Sequence, residues 1–399
     1  MYRYNIENLF VSSGKPGSDQ LSSGTIFQIS RLQSTNLNID YNRENLEYLD
    51  ETVNQIQIDR PIINLSFDYI STNGNNERNI GLVTNGFSSV FYKLNETKNF
   101  YLVKGQANSA EDLNFDTGSL QRQCFAIGNA YINNYSVSAS VNDFVKCTFG
   151  IEGQNLIFYS GISGVEDPGV NIQNGSQLTG LINIPLGTDQ FPEFSLNSAN
   201  DVSALSYKDI IMEFPQDSVF ALFMSGANAC HLQSFNLSFN IPRTDIKSLG
   251  DQYPYKPMDF PIEFELSAEA FVERYREESL RQIECIDTGH NINIYIKQPC
   301  SDFLAVEYYL KGMKLVSQEI NSSIGQNASV SWRWKGVVPG NLRQSGSNFF
   351  MVANGGTEAY EVDSYHDIDG VDQFGNPLFL QEIVWKRILN ENFFSANDL

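Results

Sequence analysis

Histidine and cysteine are scarce in this 399-residue chain, three of one and five of the other. Cys124, Cys147, Cys230, Cys285 and Cys300 are odd in number, scattered, and contain no C-x-x-C pair. That pattern argues against a disulfide framework or a zinc site and leaves buried thiols in a reducing cell as the reading. His231, His290 and His366 are the only imidazoles, and no G-x-S-x-G, P-loop, strand-borne G-x-G-x-x-G or H-E-x-x-H run is present. The expectation is a protein that is no enzyme and carries no cofactor. Basic charge is also short: 26 Lys and Arg against 47 Asp and Glu leave a formal charge of −21. That balance argues against a surface built to grip phosphate backbones, although an acidic wall repels nucleic acid and lets it pass without sticking. No apolar run approaches membrane length, and MYRYNIENLF lacks the apolar core of a secretory signal, so synthesis and folding in the cytoplasm are expected.

What the chain has in quantity is Phe (28), Tyr (19), Asn, Ser, Thr and Gly, with only 18% charged residues. Such text favours strands and turns over long helices. A mainly β protein of two or three domains follows from the length.

LQSTNLNIDYNRENLEYL, from Leu32, returns as LQSFNLSFNIPRTDIKSL from Leu232, an offset of 232 − 32 = 200. Leu32, Gln33, Ser34, Asn36, Leu37, Arg43 and Leu49 recur as Leu232, Gln233, Ser234, Asn236, Leu237, Arg243 and Leu249, where chance would give about one match. Leu37, Ile39 and Tyr41 alternate with Asn36, Asn38 and Asp40, and Phe235, Leu237, Phe239 and Ile241 alternate with Asn236, Ser238 and Asn240. Each copy reads as a strand with one wet face, followed near Asn42 or Pro242 by a turn or a helical turn. A Pro-led strand then follows in both copies, from Pro61 and Pro261, and Leu65-Ser66 matches Leu266-Ser267 better at an offset of 201.

Beyond that point the copies diverge. The first continues as a Gly/Asn-rich loop and an apolar strand, while the second, SAEAFVERYREESLRQIE, places Phe271, Tyr275 and Ile283 on one face of an expected surface helix. Each copy closes with a strand pair, 131–141 with 145–153 and 309–316 with 328–336. The expected organisation is an N-terminal arm (1–19), a first β unit (20–160), a connection (161–204), a second β unit (205–344) and a C-terminal extension (345–399). Asp367, Asp369 and Asp372 are the best small-ligand candidates, carboxylates around Gly370 that suit a hard cation. Their spacing fails the EF-hand pattern and no Glu follows at its place, so an acidic turn is the reading and no metal site is expected.

The succession of an arm, LQS leading into an alternating strand, a Pro-led strand, SFDYISTNGNNERNIGLV and IGNAYINNYSVSASVNDF resembles tailed-bacteriophage tail tube proteins. SLGDQYPYKPMDFPIEFELSAEAF carries the same likeness in the second copy, and together they cover roughly two-thirds of the chain. The resemblance implies tandem β-sandwich or rolled-sheet units, each with a flanking helix or loop, joined edge to edge in a ring of six units and stacked into a tube. About 24 strands spaced ~4.8 Å and tilted about 40° would enclose a barrel roughly 45–50 Å across at the backbone, wide enough for duplex DNA. Asn36, Asn38, Asp40, Asn236, Ser238 and Asn240 would then face the lumen or solvent.

The implied partners are further copies of the chain and other tail proteins, with DNA passing unbound, in a virion component made in the host cytoplasm. The duplication departs from single-unit members and leaves two assemblies open: a homohexamer in a repeating tube, which is the favoured reading, or a trimer forming a pseudo-sixfold ring, as in tail-tip hubs. A glycan- or receptor-binding module is the alternative from another class. It would need exposed aromatics, and Trp332 and Trp334, sharing a strand face with Val330, read as core.

Overall fold

Period-two alternation of apolar and polar residues runs through most of the chain and dictates a mainly β fold. The computed structural model describes residues 6–12, 26–41, 43–48, 51–57, 60–72, 74–82, 87–89, 94, 96–105, 122–160, 165–171, 174–178, 181–182, 204–213, 230–272, 289–298, 304–321, 329–338 and 349–353. In chain order the first unit holds β1 (Ile6–Ser12), β2 (Ile26–Gln28), β3 (Leu32–Asp40), β4 (Arg43–Tyr48), β5 (Glu51–Gln57), β6 (Ile62–Ile70), helix α1 (Asn75–Ile80), β7 (Phe87–Ser89), β8 (Lys98–Gly105), β9 (Arg122–Ser140), β10 (Lys146–Gly153) and β11 (Asn155–Ser160). The short pair β12 (Val165–Glu166) and β13 (Leu181–Ile182) leads to β14 (Ile210–Glu213), β15 (Cys230–Asn240), β16 (Ile262–Val272), β17 (His290–Lys297), β18 (Leu304–Asn321), β19 (Ser329–Val338) and β20 (Phe349–Ala353).

Two strands are too long for one sheet. At 19 and 18 residues, β9 and β18 would each span about 60 Å if straight. Each turns instead at a left-handed residue, Asn129 (φ 49°) in β9 and Gly312 (φ 64°) in β18. The C-terminal half of β9 completes an inner sheet ordered β3-β6-β10-β9, and its N-terminal half pairs with β8 and β11 in an outer sheet. The second unit repeats the plan: β15-β16-β19-β18 inside, and β14-β17-β18-β20 outside. Inner and outer layers meet face to face. Phe67 of β6 lies 6.3 Å from Phe100 of β8, and Phe264 of β16 lies 5.2 Å from Phe349 of β20. Each such fully buried ring contributes about 2–3 kcal/mol of apolar burial.

The units share one core and one sheet. β9 pairs with β15 antiparallel from Ser140↔Ser234 to Asn134↔Asn240, which makes the inner layer a continuous run of eight strands, β3-β6-β10-β9-β15-β16-β19-β18. Tyr135 and Phe239 pack across this junction at 5.6 Å. β20 of the second unit also pairs with β7 of the first.

Several sequence expectations change. The arm contains a strand, since Ile6–Ser12 pairs with β8 and buries Leu9 and Val11 completely. The helical turn after each repeat is instead a hairpin arm, β4·β5 in the first copy and the Arg243↔Met258 and Ile246↔Tyr255 bridges in the second. The helix appears in the first copy, at Asn75–Ile80, within the stretch read as a loop. In the second copy β16 continues to Val272 because Phe264, Leu266, Ala268 and Ala270 bury every other residue; Phe271 therefore sits in a strand, and Tyr275 and Ile283 lie outside the described residues.

Candidate assembly surface

The repeated LQS has a specific structural consequence. In β3 the register with β6 shifts between Leu32 and Ser34, and in β15 the register with β16 shifts between Leu232 and Ser234, so Gln33 and Gln233 are the extra residues of matching bulges. Each turns its amide back onto the chain: Gln33 Nε2 donates to Arg31 O at 3.2 Å and Gln233 Nε2 to His231 O at 3.0 Å. The bulge sets which residues of the following strand face outward.

Those residues form one polar face. Asn36 stands opposite Ser66, Ser66 opposite Gly150, Gly150 opposite Asn134, and Asn134 opposite Asn240, so the repeat strands of both units present their amides on the same side of the inner layer. Asn36, Asn38, Asp40, Asn236 and Asn240 are exposed and Ser238 is half-buried, and the structure thus brings all six onto one surface. Side chains on that surface bond to one another: Asn38 Nδ2 donates to Asp40 Oδ1 (2.8 Å), Asn64 Nδ2 to Asp40 Oδ2 (3.0 Å) and Ser34 Oγ to Asp68 Oδ2 (2.7 Å).

Sequence reading missed the basic residues on this face. β3 and β15 carry none, but Arg333 lies opposite Ser267 and Lys335 opposite Glu265, two strands from the repeat. Arg333 is held by both oxygens of Glu265, Lys335 Nζ lies 3.2 Å from Glu263, and Lys146 Nζ lies 2.7 Å from Asp143. Carboxylates thus neutralise these cations. The period-two spacing of Glu263 and Glu265 against Arg333 and Lys335 was the available signal, but only strand pairing shows that they meet.

Two polar clusters lock the units together. Glu77 of α1 is buried beneath β6 and β10, where the Tyr69 hydroxyl donates to its Oε1 at 2.6 Å and the Cys147 thiol lies 3.4 Å away. Burial raises the Glu77 carboxyl above its usual value, against the lowering effect of the Tyr69 hydrogen bond. The chain of contacts continues from Cys147 to Tyr135 (3.7 Å) and from Tyr135 to Tyr308 of the second unit (2.8 Å). At the rim, the repeated Arg243 donates to the carbonyls of Lys256 (2.9 Å), Leu94 (2.6 Å) and Ile132 (3.1 Å) and lies over the Tyr131 ring. Burial alone would lower the Lys256 ammonium, yet Glu152 and Asp245 outweigh it and hold it above the usual lysine value.

The hairpin arms leave both units from the same rim. Arg60, at the foot of the first, lies over the Tyr253 ring of the second at 3.9 Å and donates to Gln252 Oε1 at 2.8 Å. Leu249 is fully exposed at the turn of the second arm, with Ile246 and Tyr255 half exposed beside it. Trp332 and Trp334, by contrast, are 2% and 3% exposed and stack in the core 6.0 Å apart, so they form no aromatic platform for a glycan. Asp367, Asp369 and Asp372 lie outside the described residues. No group of three metal-ligating side chains occurs among the described residues, and no helix among them is long and apolar enough to cross a membrane.

No protein-family model matches the chain, and no curated protein matches it. Solved structures do. A chain from the tail of an empty GTA particle, determined by helical refinement with C6 symmetry, is 15% identical over 35% of this chain and 100% of that one, at a TM-score of 0.24. A chain of the 6-fold symmetrised anti-feeding prophage baseplate is 10% identical over 40% of this chain and 97% of that one, at 0.25. The SPP1 tail tube protein is 13% identical over 43% of this chain and 92% of that one, at 0.27. The solved structures to which the chain is similar are thus components of tails and of a baseplate.

Proposed function

We propose that the chain is a ring-forming structural subunit of a phage tail, with the polar face of its inner sheet lining a conduit through which DNA passes without being held. The observation that carries this reading is the β9·β15 junction, which sets the two units side by side in one eight-stranded layer. At either end of that layer is an edge, β3 on one side and the C-terminal half of β18 on the other, with which no other strand pairs among the described residues. Long flat edges invite association, and closing a ring removes them.

Side-by-side units favour the pseudo-sixfold trimer over a hexamer with its second units outside the bore. Three copies would supply about 24 strands, the count that encloses a barrel roughly 45–50 Å across. The face suits passage of a polyanion, because Asn and Ser predominate and Arg333, Lys335 and Lys146 are engaged by carboxylates. Each unneutralised Lys or Arg would bind phosphate and slow transit.

Electron microscopy of the purified protein tests the reading. Rings with threefold symmetry and a DNA-wide hole are expected; rings that stack into filaments place the protein in the tube, and single rings place it at the tip. A protein that stays monomeric at high concentration overturns the proposal.

A further inference from the structure

The duplication allows a step beyond ring formation, because the junction between units inside one chain is a template for the junction between chains. The repeat strand and the bent strand of the second unit map onto the first. β15 maps onto β3 at an offset of 200, and β18 onto β9 at an offset of 312 − 129 = 183, from their left-handed bend residues. The second offset is confirmed by strand pairing, as Thr148↔Ser136 in β10·β9 becomes Ser331↔Glu319 in β19·β18, with 331 − 148 and 319 − 136 both equal to 183.

We infer that, in the ring proposed above and resting on that reading, the edge of β18 in one copy pairs antiparallel with the edge of β3 in the next, in the register of β9·β15. Carrying each partner across by its offset, Leu237↔Val137 becomes Leu37↔Ile320, Phe239↔Tyr135 becomes Ile39↔Gln318, and Ser238↔Ser136 becomes Asn38↔Glu319. The occupant of the edge is a second copy of this chain, joined head to tail, which closes by rotation and is not a twofold dimer.

Three observations at the edges point the same way. Ile320 is 53% exposed, although its counterpart Val137 is completely buried at the internal junction. Leu37 is only partly buried against the core, whereas Leu237 is completely buried. Gln318 Nε2 is buried without a hydrogen-bond partner among the described residues, in the place where Tyr135 reaches Tyr308 in the first unit. Burying Ile320 and Leu37 against each other in the next copy gives this edge the packing that the internal junction already has.

The register can be read by cross-linking. At the internal junction Val141 N donates to Gln233 O and Ile241 N to Asn133 O, so hydrogen-bonded pairs fall on odd-numbered residues of β15. Ser238↔Ser136 is therefore a close, non-hydrogen-bonded pair, and its image is Asn38↔Glu319. The full-length double variant Asn38→Cys with Glu319→Cys, oxidised under conditions that leave the parent uncross-linked, should give covalent dimers and trimers on a non-reducing gel. The slipped pair Asn36→Cys with Glu319→Cys should not.

Ile320→Lys provides an independent arm. Its site is exposed in the single chain, so its melting transition should match that of the parent at subunit concentrations below assembly, while rings are lost. Rings that form without the Asn38–Glu319 cross-link, or that survive Ile320→Lys, overturn the inference and leave the ring reading standing. Cross-linking by Asn38→Cys alone would mean that β3 pairs with β3 in a twofold contact, which overturns it too. Absence of any assembly overturns both.

Discussion

Asn99 and Asn291 stand 291 − 99 = 192 residues apart and make the same bond: each side-chain Oδ1 accepts, at 3.1 Å, the backbone N–H of the left-handed residue at which a long strand bends, Asn129 for one and Gly312 for the other. The bend that divides each unit into inner and outer layers is thus pinned by an amide from the neighbouring strand. Asn99 is completely buried and also donates to Asp167 Oδ1 at 2.6 Å, whereas Asn291 is half-buried.

Unequal burial predicts unequal costs. Asn99→Ala strands the buried Asn129 backbone N–H and takes one of its donors from the buried Asp167 carboxylate, which keeps the Gly169 N–H, and should destabilise the fold by about 3 kcal/mol. Asn291→Ala, where water can take over the bond, should cost about 1 kcal/mol. Urea unfolding of the two variants checks the order.

Gly312 needs its left-handed backbone but not empty space, since a Cβ there would meet nothing within 4 Å. Gly312→Ala should cost about 1 kcal/mol from backbone strain alone. Gly312→Asn should cost about half as much, because Asn tolerates this region and already occupies the matching position in the first unit. Thermal melts of the pair separate strain from crowding.

Glu77 predicts a pH dependence. Its folded-state carboxyl titrates above its unfolded value because it is buried, so the folded protein binds more protons between the two and this group's contribution to stability falls as pH rises through that window. Glu77→Gln keeps an oxygen to accept from Tyr69 and removes the ionisation. The variant should show a flatter stability profile above pH 5 and gain on the parent toward pH 8, measured by denaturant unfolding at a series of pH values.

Buried thiols should be silent. Burial pushes Cys124 up to about 12 and Cys147 well above the usual thiol value, and both side chains are inaccessible. Alkylation at pH 8 followed by peptide mass spectrometry should label these two only at the rate at which the chain unfolds.

The conduit reading predicts a gain of DNA binding on adding charge. Asn36→Lys, Asn236→Lys and Asn240→Lys together place unpaired ammonium groups on the polar face. Parent rings should not retain duplex DNA at 50 mM salt, while the triple variant should, with a salt slope of about −0.9 for each phosphate engaged. Gel mobility over a salt series reads both numbers.

The opening repeat was legible as a strand because alternation is a local property: Leu37 and Ile39 against Asn36 and Asn38 need no partner to declare a wet and a dry face. Local composition likewise announced a mainly β chain, the buried character of Trp332 and Trp334, and the absence of basic residues from β3 and β15. What remained hidden was non-local. The helix at Asn75–Ile80 is a short piece held by Ser30 and Tyr69 on other elements, and the strand at Ile6–Ser12 exists because β8 pairs with it. The second unit's equivalence to the first lies mostly in bends, bulges and partners, such as Asn129 with Gly312 and Asn99 with Asn291, where residue identity is partly lost and geometry is retained.

The two LQS strands, their wet and dry faces and the recurrence of that text at Leu32 and Leu232 could thus be read locally, because side-chain alternation and repeated text are carried along a single stretch of chain. That the two stretches lie in one layer comes from non-local pairing, since Val137 meets Leu237 through hydrogen bonds between backbones 100 residues apart, and no local pattern encodes which edge a strand will join.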